Sequence, residues 1–232
     1  MAYTEKVVMS IGGSLIVPNG GIDTKFLSEL NQFIRKELAE NKNRQFFLII
    51  GGGRIARKYR DAGREVIGHE LTRDDLDWLG IHATKLNAHL VRTIFRDIAH
   101  PYIIKHYEII RKAIEPVVVA AGWKPGWSTD YPAVLLCEDY NVKEMINLSN
   151  VAQVYDKDPN GNEDAKPIAK ISWPDFRKLV GMSGLSRNCA EKLKYQGSCL
   201  FVERLDIIII CLGEMIFEIS VATIPPNERP TI

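Results

Sequence analysis

Long apolar runs are missing from this chain of 232 residues. None approaches the roughly 20 residues that cross a bilayer, and the stretch MAYTEKVVMS lacks the apolar core of a signal peptide, so the sequence predicts a soluble, cytoplasmic protein. A charge excess is also missing, since thirty Lys and Arg stand against twenty-nine Asp and Glu, a formal net charge of +1. That balance removes any general attraction to nucleic acid or to an anionic membrane, and a partner must be recognised locally. The four cysteines, Cys137, Cys189, Cys199 and Cys211, show neither CxxC spacing nor zinc-motif histidines. They read as reduced thiols used for packing. Internal repeats, low-complexity tracts, obvious linkers and His-Asp or Cys-His couples are missing as well. What remains is 46% hydrophobic and 25% charged, enough for one compact domain with a lobe boundary inside it.

Two short apolar runs, Lys6 to Ile11 and Phe46 to Ile50, end in Gly12-Gly13-Ser14 and Gly51-Gly52-Gly53 and predict buried strands that stop at glycine loops. Between them Phe26, Leu30, Phe33, Ile34 and Leu38 recur at helical spacing, with Asp23 or Thr24 as N-cap. A second helix is expected from Arg54. A longer one runs from about Arg73 to Ala99, with Leu76, Leu79, Leu86, Leu90 and Ile94 marking its apolar side. Further on, the pattern predicts a strand at Tyr102 to Ile104, a helix near Tyr107 to Ala113, a strand at Val117 to Ala121 and a helix from about Thr129. Strands at Met145 to Leu148 and Ile207 to Cys211 follow, with a turn-rich segment at Asn160 to Asp164. Strands alternating with helices imply an α/β fold, a three-layer αβα sandwich around a mainly parallel sheet. The best internal boundary falls near Val117 and divides lobes 1–116 and 117–232 of one continuous domain.

A strand that ends in glycines and hands over to a helix sets bare amides beside a helix N-terminus, a site suited to phosphate. Neither loop matches GxxxxGK[ST] or the full GxGxxG fingerprint. Either loop alone could be a tight turn and nothing more; two at neighbouring strand ends favour a ligand, because ligands of open α/β sheets collect there. Arg54, Arg57, Lys58 and Arg60 follow the second loop directly. Arg57, one helical turn beyond Gly53, is the best candidate to grip a phosphate through two hydrogen bonds.

Five segments then carry a resemblance: SIGGS at 10–14, IIGGGRIARKY at 49–59, DWLGIHATKLNAHL at 77–90, GWKPGWSTD at 122–130 and NLSNVAQVYDKDP at 147–159. In order and spacing the chain resembles the amino acid kinase superfamily, and within it the archaeal-type uridylate (UMP) kinases. The resemblance implies an enzyme that uses ATP with Mg2+ to phosphorylate UMP, and a hexamer assembled from dimers. It makes 1–116 the UMP lobe and 117–232 the ATP lobe. It implies that Gly12, Gly13 and Ser14 cradle the transferring phosphates, and that Gly52, Gly53 and Arg57 hold the UMP phosphate. Asp77 would bond the ribose, Thr129 would lie on the base side, and Asp130 would stand near the transfer centre. Ser149, Asn150, Val151, Tyr155, Asp158 and Pro159 would line the ATP side. The chemistry is consistent: a nucleoside monophosphate has a second phosphate pKa near 6, so its attacking oxygen is largely ionised at neutral pH and no general base is required. His82 and His89, two turns apart on one predicted helix, fit packing or surface roles.

Departures from the family are equally visible. Many members carry a lysine where Ser10 stands, and Lys6 cannot substitute, being about 13 Å away along a strand. Arg54, Lys124 and Lys157 are the candidate replacements. Ala121 takes the place of a glycine, Trp123 and Trp127 add bulk beside the expected uracil pocket, and Ala152-Gln153 replaces Asp-Gly. After Val180 the family's Asp-Pro-x-Ala-Ala-Lys helix finds no counterpart; Tyr195-Gln196 and Leu200 fall at its positions. Either the adenine side is rebuilt, which implies weak ATP binding, or the sequence differs locally, as through a shifted reading frame. Two alternatives to UMP phosphorylation remain. One is a related phosphotransferase such as isopentenyl phosphate kinase, whose family carries a histidine in the acceptor loop where this chain reads Gly51-Gly52-Gly53-Arg54-Ile55-Ala56-Arg57. The other is a non-catalytic nucleotide-binding or storage protein.

Overall fold

The computed structural model describes residues 3–142, 144–149, 154–157, 161–168, 171–172, 175, 178 and 208–212. Their elements are β1 (Glu5–Ile11), α1 (Gly13–Ile16), α2 (Thr24–Glu40), β2 (Arg44–Ile50), α3 (Gly53–Val66), α4 (Arg73–Ile94), β3 (Val117–Ala120), α5 (Asp130–Asp139), β4 (Glu144–Leu148), β5 (Val154–Tyr155), β6 (Pro167–Ile168) and β7 (Ile208–Leu212). Five strands form one sheet in the order β3-β2-β1-β4-β7, with every neighbouring pair parallel. The αβα sandwich expected from the alternation is therefore present.

Strands covered on both faces need apolar residues at every position, and β2 supplies them: Phe46, Leu48 and Ile50 enter one core cluster, and Phe47 and Ile49 the other. On the first face lie α2, through Phe26, Leu30, Phe33 and Ile34, and α4, through Ala88 and Val91. The second face is covered by α5 through Ala133, Val134, Leu136 and Cys137. Asp23 caps α2 by accepting a hydrogen bond from the Phe26 amide at 2.9 Å. Burial pushes the Cys137 thiol up to about 12, which suits a packing role; the Cys189 and Cys199 readings lie outside the described residues. No helix among the described residues is long and apolar enough to cross a membrane.

Three local expectations need correction. The helix proposed near Tyr107 to Ala113 does not form. Side chains from elsewhere take the carbonyls of this stretch: Tyr140 bonds Arg111, Gln45 bonds Ala113 and Glu115, and Tyr3 bonds Ile114. With Ile109 and Ile110 left exposed, a helix of seven residues gains no packing to offset its nucleation. The strand at Tyr102 to Ile104 shrinks to one bridge between Ile104 and Ala120. The long helix stops at Ile94, and its buried face holds Gly80, Ile81, Ala83, Thr84, Asn87, Ala88 and Val91. Leu86, assigned to the apolar side, is exposed. Close approach selects small residues here, since a Cβ added at Gly52 would lie 3.3 Å from the Gly80 carbonyl oxygen and 3.6 Å from the Ala83 methyl.

Candidate functional site

The chain runs from β1 outward to β2 and β3, then returns to the other side of β1 for β4 and β7. Crevices for ligands open where strand order reverses in this way, at the carboxyl ends of the strands. Here β1, β2 and β4 end level, because Ile11 pairs with Ile50 on one side and Leu148 on the other. Gly12, Gly51 and Ser149 therefore emerge side by side. Backbone bonds hold them so: the Gly51 amide donates to Ile11 and the Gly12 amide to Leu148, each at 2.9 Å.

The two glycine loops are in direct backbone contact. A Cβ added at Gly13 would lie 2.0 Å from the Gly53 nitrogen and 2.5 Å from the Gly51 carbonyl carbon. Gly53 adopts φ +62°, and the Arg54 amide donates to the Val17 carbonyl at 3.0 Å. Gly52 caps α3 without a side-chain acceptor, and the first turn holds no acidic residue. Arg54, Arg57 and Lys58 instead place three cations within two turns of the helix's positive end, which the helix dipole disfavours unless an anion docks there. Arg54 and Arg57 are exposed. Ser14 is half-buried in α1.

Asp77 stands on α4 at the wall of a cavity of about 790 Å3 also lined by Arg60, Arg64, Leu71, Leu76 and Gly126. Its carboxylate accepts from the Gly126 amide at 2.7 Å and from Arg60 Nη2 at 3.1 Å. The expected ribose ligand thus also ties α3 and the 122–128 loop together. In that loop Trp123 and Trp127 join a ring series with Tyr107 and Tyr131, the Trp127 and Tyr131 centroids lying 3.7 Å apart. Thr129 is the half-buried N-cap position of α5.

Asp130, first residue of α5, lies half-buried and accepts a hydrogen bond from the Ser10 hydroxyl at 3.1 Å. Burial pushes its carboxyl above the usual aspartate range, and the Ser10 and Ser128 side chains oppose the shift. Of the candidate cations, Lys124 is drawn to Glu108 at 2.6 Å and lies over the Trp123 ring, and Lys157 pairs with Asp164 at 2.5 Å. Arg54 remains beside the glycine loops. Ser149 follows β4 directly, and Tyr155 sits in β5. Asn150, Val151, Asp158, Pro159, Ala152-Gln153 and the 181–200 segment lie outside the described residues. Among the described residues no three His, Cys, Asp or Glu side chains are grouped to hold a metal ion.

Two residues at the site were not singled out in the sequence. The Asn87 amide nitrogen donates to the Gly51 carbonyl at 2.9 Å and the Gly52 carbonyl at 3.2 Å, and Thr84 Oγ1 accepts from the Gly122 amide at 2.9 Å. Their signal was available, since both are polar residues at helical spacing on a face otherwise apolar.

Residues 5–204 match the amino acid kinase family. The chain is 32% identical over 213 residues to a uridylate kinase of Thermococcus sibiricus, covering 90% of each. It is 32% identical over 177 residues to a uridylate kinase of Methanobrevibacter smithii, covering 75% of each. The crystal structure of the Archaeoglobus fulgidus uridylate kinase superposes with a TM-score of 0.71 at 27% identity, covering 90% of both chains.

Proposed function

We infer from the joined glycine loops that this chain, which belongs to the amino acid kinase family, phosphorylates UMP to UDP at the expense of ATP. The observation that carries this reading is the backbone contact of Gly13 with Gly51 to Gly53. Two cradles of bare main chain at adjoining strand tips hold two phosphate-bearing molecules head to head. The uridylate kinase relatives at about a third identity over most of the chain support the acceptor's identity.

In the mechanism, the ionised UMP phosphate oxygen attacks the γ-phosphorus, the bond to the β-phosphate oxygen breaks, and ADP leaves with the electron pair. Positioning and charge stabilisation suffice for this transfer. Gly52, Gly53 and Arg57 hold the acceptor phosphate, Asp77 the ribose, and Thr129 the base side. Gly12, Gly13 and Ser14 receive the transferring group, with Arg54 as the cation in place of the lysine that Ser10 replaces. The resemblance assigns the ATP side to Ser149, Asn150, Tyr155 and Asp158. This divides the work between lobes 1–116 and 117–232. The protein works in the cytoplasm as a hexamer built from dimers, as the resemblance implies.

Magnesium on ATP fits the residues present. Asp130 is a half-buried carboxylate whose described hydrogen-bond partner is the neutral Ser10 hydroxyl, and a cation would stabilise it. Magnesium sites on nucleotides commonly combine one or two carboxylates with substrate phosphates. When bound, the ion neutralises charge on the transferring phosphates.

ADP release measured with UMP, CMP, isopentenyl phosphate and no acceptor tests the reading: turnover is expected with UMP. Turnover only with isopentenyl phosphate would replace it, and none with any acceptor would favour a binding protein. A second test concerns Asp130. Its pKa is raised on folding, so its stabilising contribution is present below the ordinary carboxylate pKa and lost as pH rises through the folded value. Asp130→Asn is therefore expected to raise Tm at pH 7 while lowering kcat about tenfold. It should also remove from kcat/KM, which reports the free enzyme, an acid limb lying above the usual aspartate range. An unchanged acid limb would take Asp130 out of the site.

A further inference from the structure

We propose that Asn87 is a positioning residue for the acceptor phosphate, setting the peptide orientation of the triple-glycine loop from α4; this rests on reading Gly51 to Gly53 as the UMP phosphate loop. Asn87 is buried at 4% exposure on the sheet-facing side of the helix. Burying a side-chain amide there is costly unless its hydrogen bonds are used. Both of its bonds go to loop carbonyls, Gly51 and Gly52, and because both partners are acceptors, the nitrogen is the atom that faces them.

The consequence follows from peptide planarity. In a trans peptide the N–H points opposite to the preceding C=O. Drawing the Gly51 and Gly52 carbonyls toward α4 therefore turns the Gly52 and Gly53 amides away from it, and the Gly53 nitrogen stands against Gly13, where the two loops meet. Glycine crosses to positive φ at little cost, so three in succession do not by themselves hold one orientation. Asn87 chooses it. The same face of α4 holds the other side of the acceptor site, through Thr84 to the Gly122 amide and Asp77 to the Gly126 amide. Residues 77, 84 and 87 are spaced by seven and three, which keeps them on one stripe. One rigid helix thus references both the phosphate loop and the base-side loop.

The test compares Asn87→Asp, Asn87→Ala and Asn87→Ser with wild type in steady-state kinetics from pH 6 to pH 8. An ionised aspartate would face two carbonyl oxygens; a protonated one can still donate one hydrogen bond. At pH 8 Asn87→Asp is expected to raise KM for UMP at least about tenfold, through loss of buried hydrogen bonds, with KM for ATP within about twofold. Relative to wild type at each pH, that defect should shrink toward pH 6 for Asn87→Asp, stay flat for Asn87→Ala and be smaller throughout for Asn87→Ser. KM for UMP unchanged, or both KM values rising together with a fall in Tm, would overturn the proposal. So would failure of all three variants to fold, which would assign Asn87 to stability. A wild-type protein that does not phosphorylate UMP would instead overturn the reading of the loop itself.

Discussion

Gly13→Ala is expected to lower kcat/KM for UMP about 100-fold or more, since an ångström-scale displacement of a reacting group can cost that much. The methyl carbon would lie 2.0 Å from the Gly53 nitrogen, 2.5 Å from the Gly51 carbonyl carbon and 2.6 Å from that of Gly52. All three obstacles are main chain, so no side chain can rotate aside; one loop must back away from the other. Overpacking of this kind costs about 1–3 kcal/mol or more, so Tm should fall together with activity. Gly68→Ala is the matching control: nothing lies within 4 Å of its added Cβ, and both Tm and kcat/KM should stay near wild type. A folded Gly13→Ala protein with wild-type kinetics would show that the loops need not touch, and the kinase reading would lose its main support.

The parallel strands were legible because burial on both faces leaves continuous apolar runs. Phe46 to Ile50 and Val117 to Ala120 are fully buried in the structure and read plainly as strands. The glycine loops were legible for the opposite reason, since five glycines at two strand ends form no pattern that packing alone requires. The face of α4 was harder. Its large residues suggested one side, but the sheet and Gly52 approach so closely that five of the seven residues on the buried side are glycine, alanine, threonine or asparagine, beside Ile81 and Val91. Hydrophobic periodicity follows side-chain size, whereas this contact depends on side-chain absence. For the same reason Asn87 and Thr84 looked like ordinary helix residues until their partners, 36 and 38 positions away in sequence, came into view. At 107–113 the local pattern was helical, and long-range hydrogen bonds from Gln45 and Tyr140 outweighed it.

Arg57→Ala and Arg54→Ala should separate binding from chemistry. The two arginines sit in the first turns of α3, whose N-terminus carries no side-chain cap and no acid, so each is placed where the helix dipole repels it. A docked phosphate reverses that penalty. Under the proposed mechanism Arg57 holds the acceptor phosphate alike in the ground and transition states. Its loss should raise KM for UMP and lower kcat/KM at least about tenfold through a missing charge-assisted contact. Arg57→Lys should restore only part of this, because a point charge cannot bond two phosphate oxygens in the guanidinium's fork. Arg54, the candidate cation that no carboxylate or ring among the described residues holds as Lys124 and Lys157 are held, would under the proposed mechanism meet the charge that develops during transfer. Its loss should lower kcat by about 10²–10³ with KM for UMP little changed, the range found when a preorganised charge-stabilising donor is removed. Steady-state kinetics with UMP varied at saturating ATP decides the matter. Equal losses in kcat and KM for both variants would mean that the arginines act as one electrostatic patch. Unchanged kinetics in Arg57→Ala would place the acceptor phosphate elsewhere.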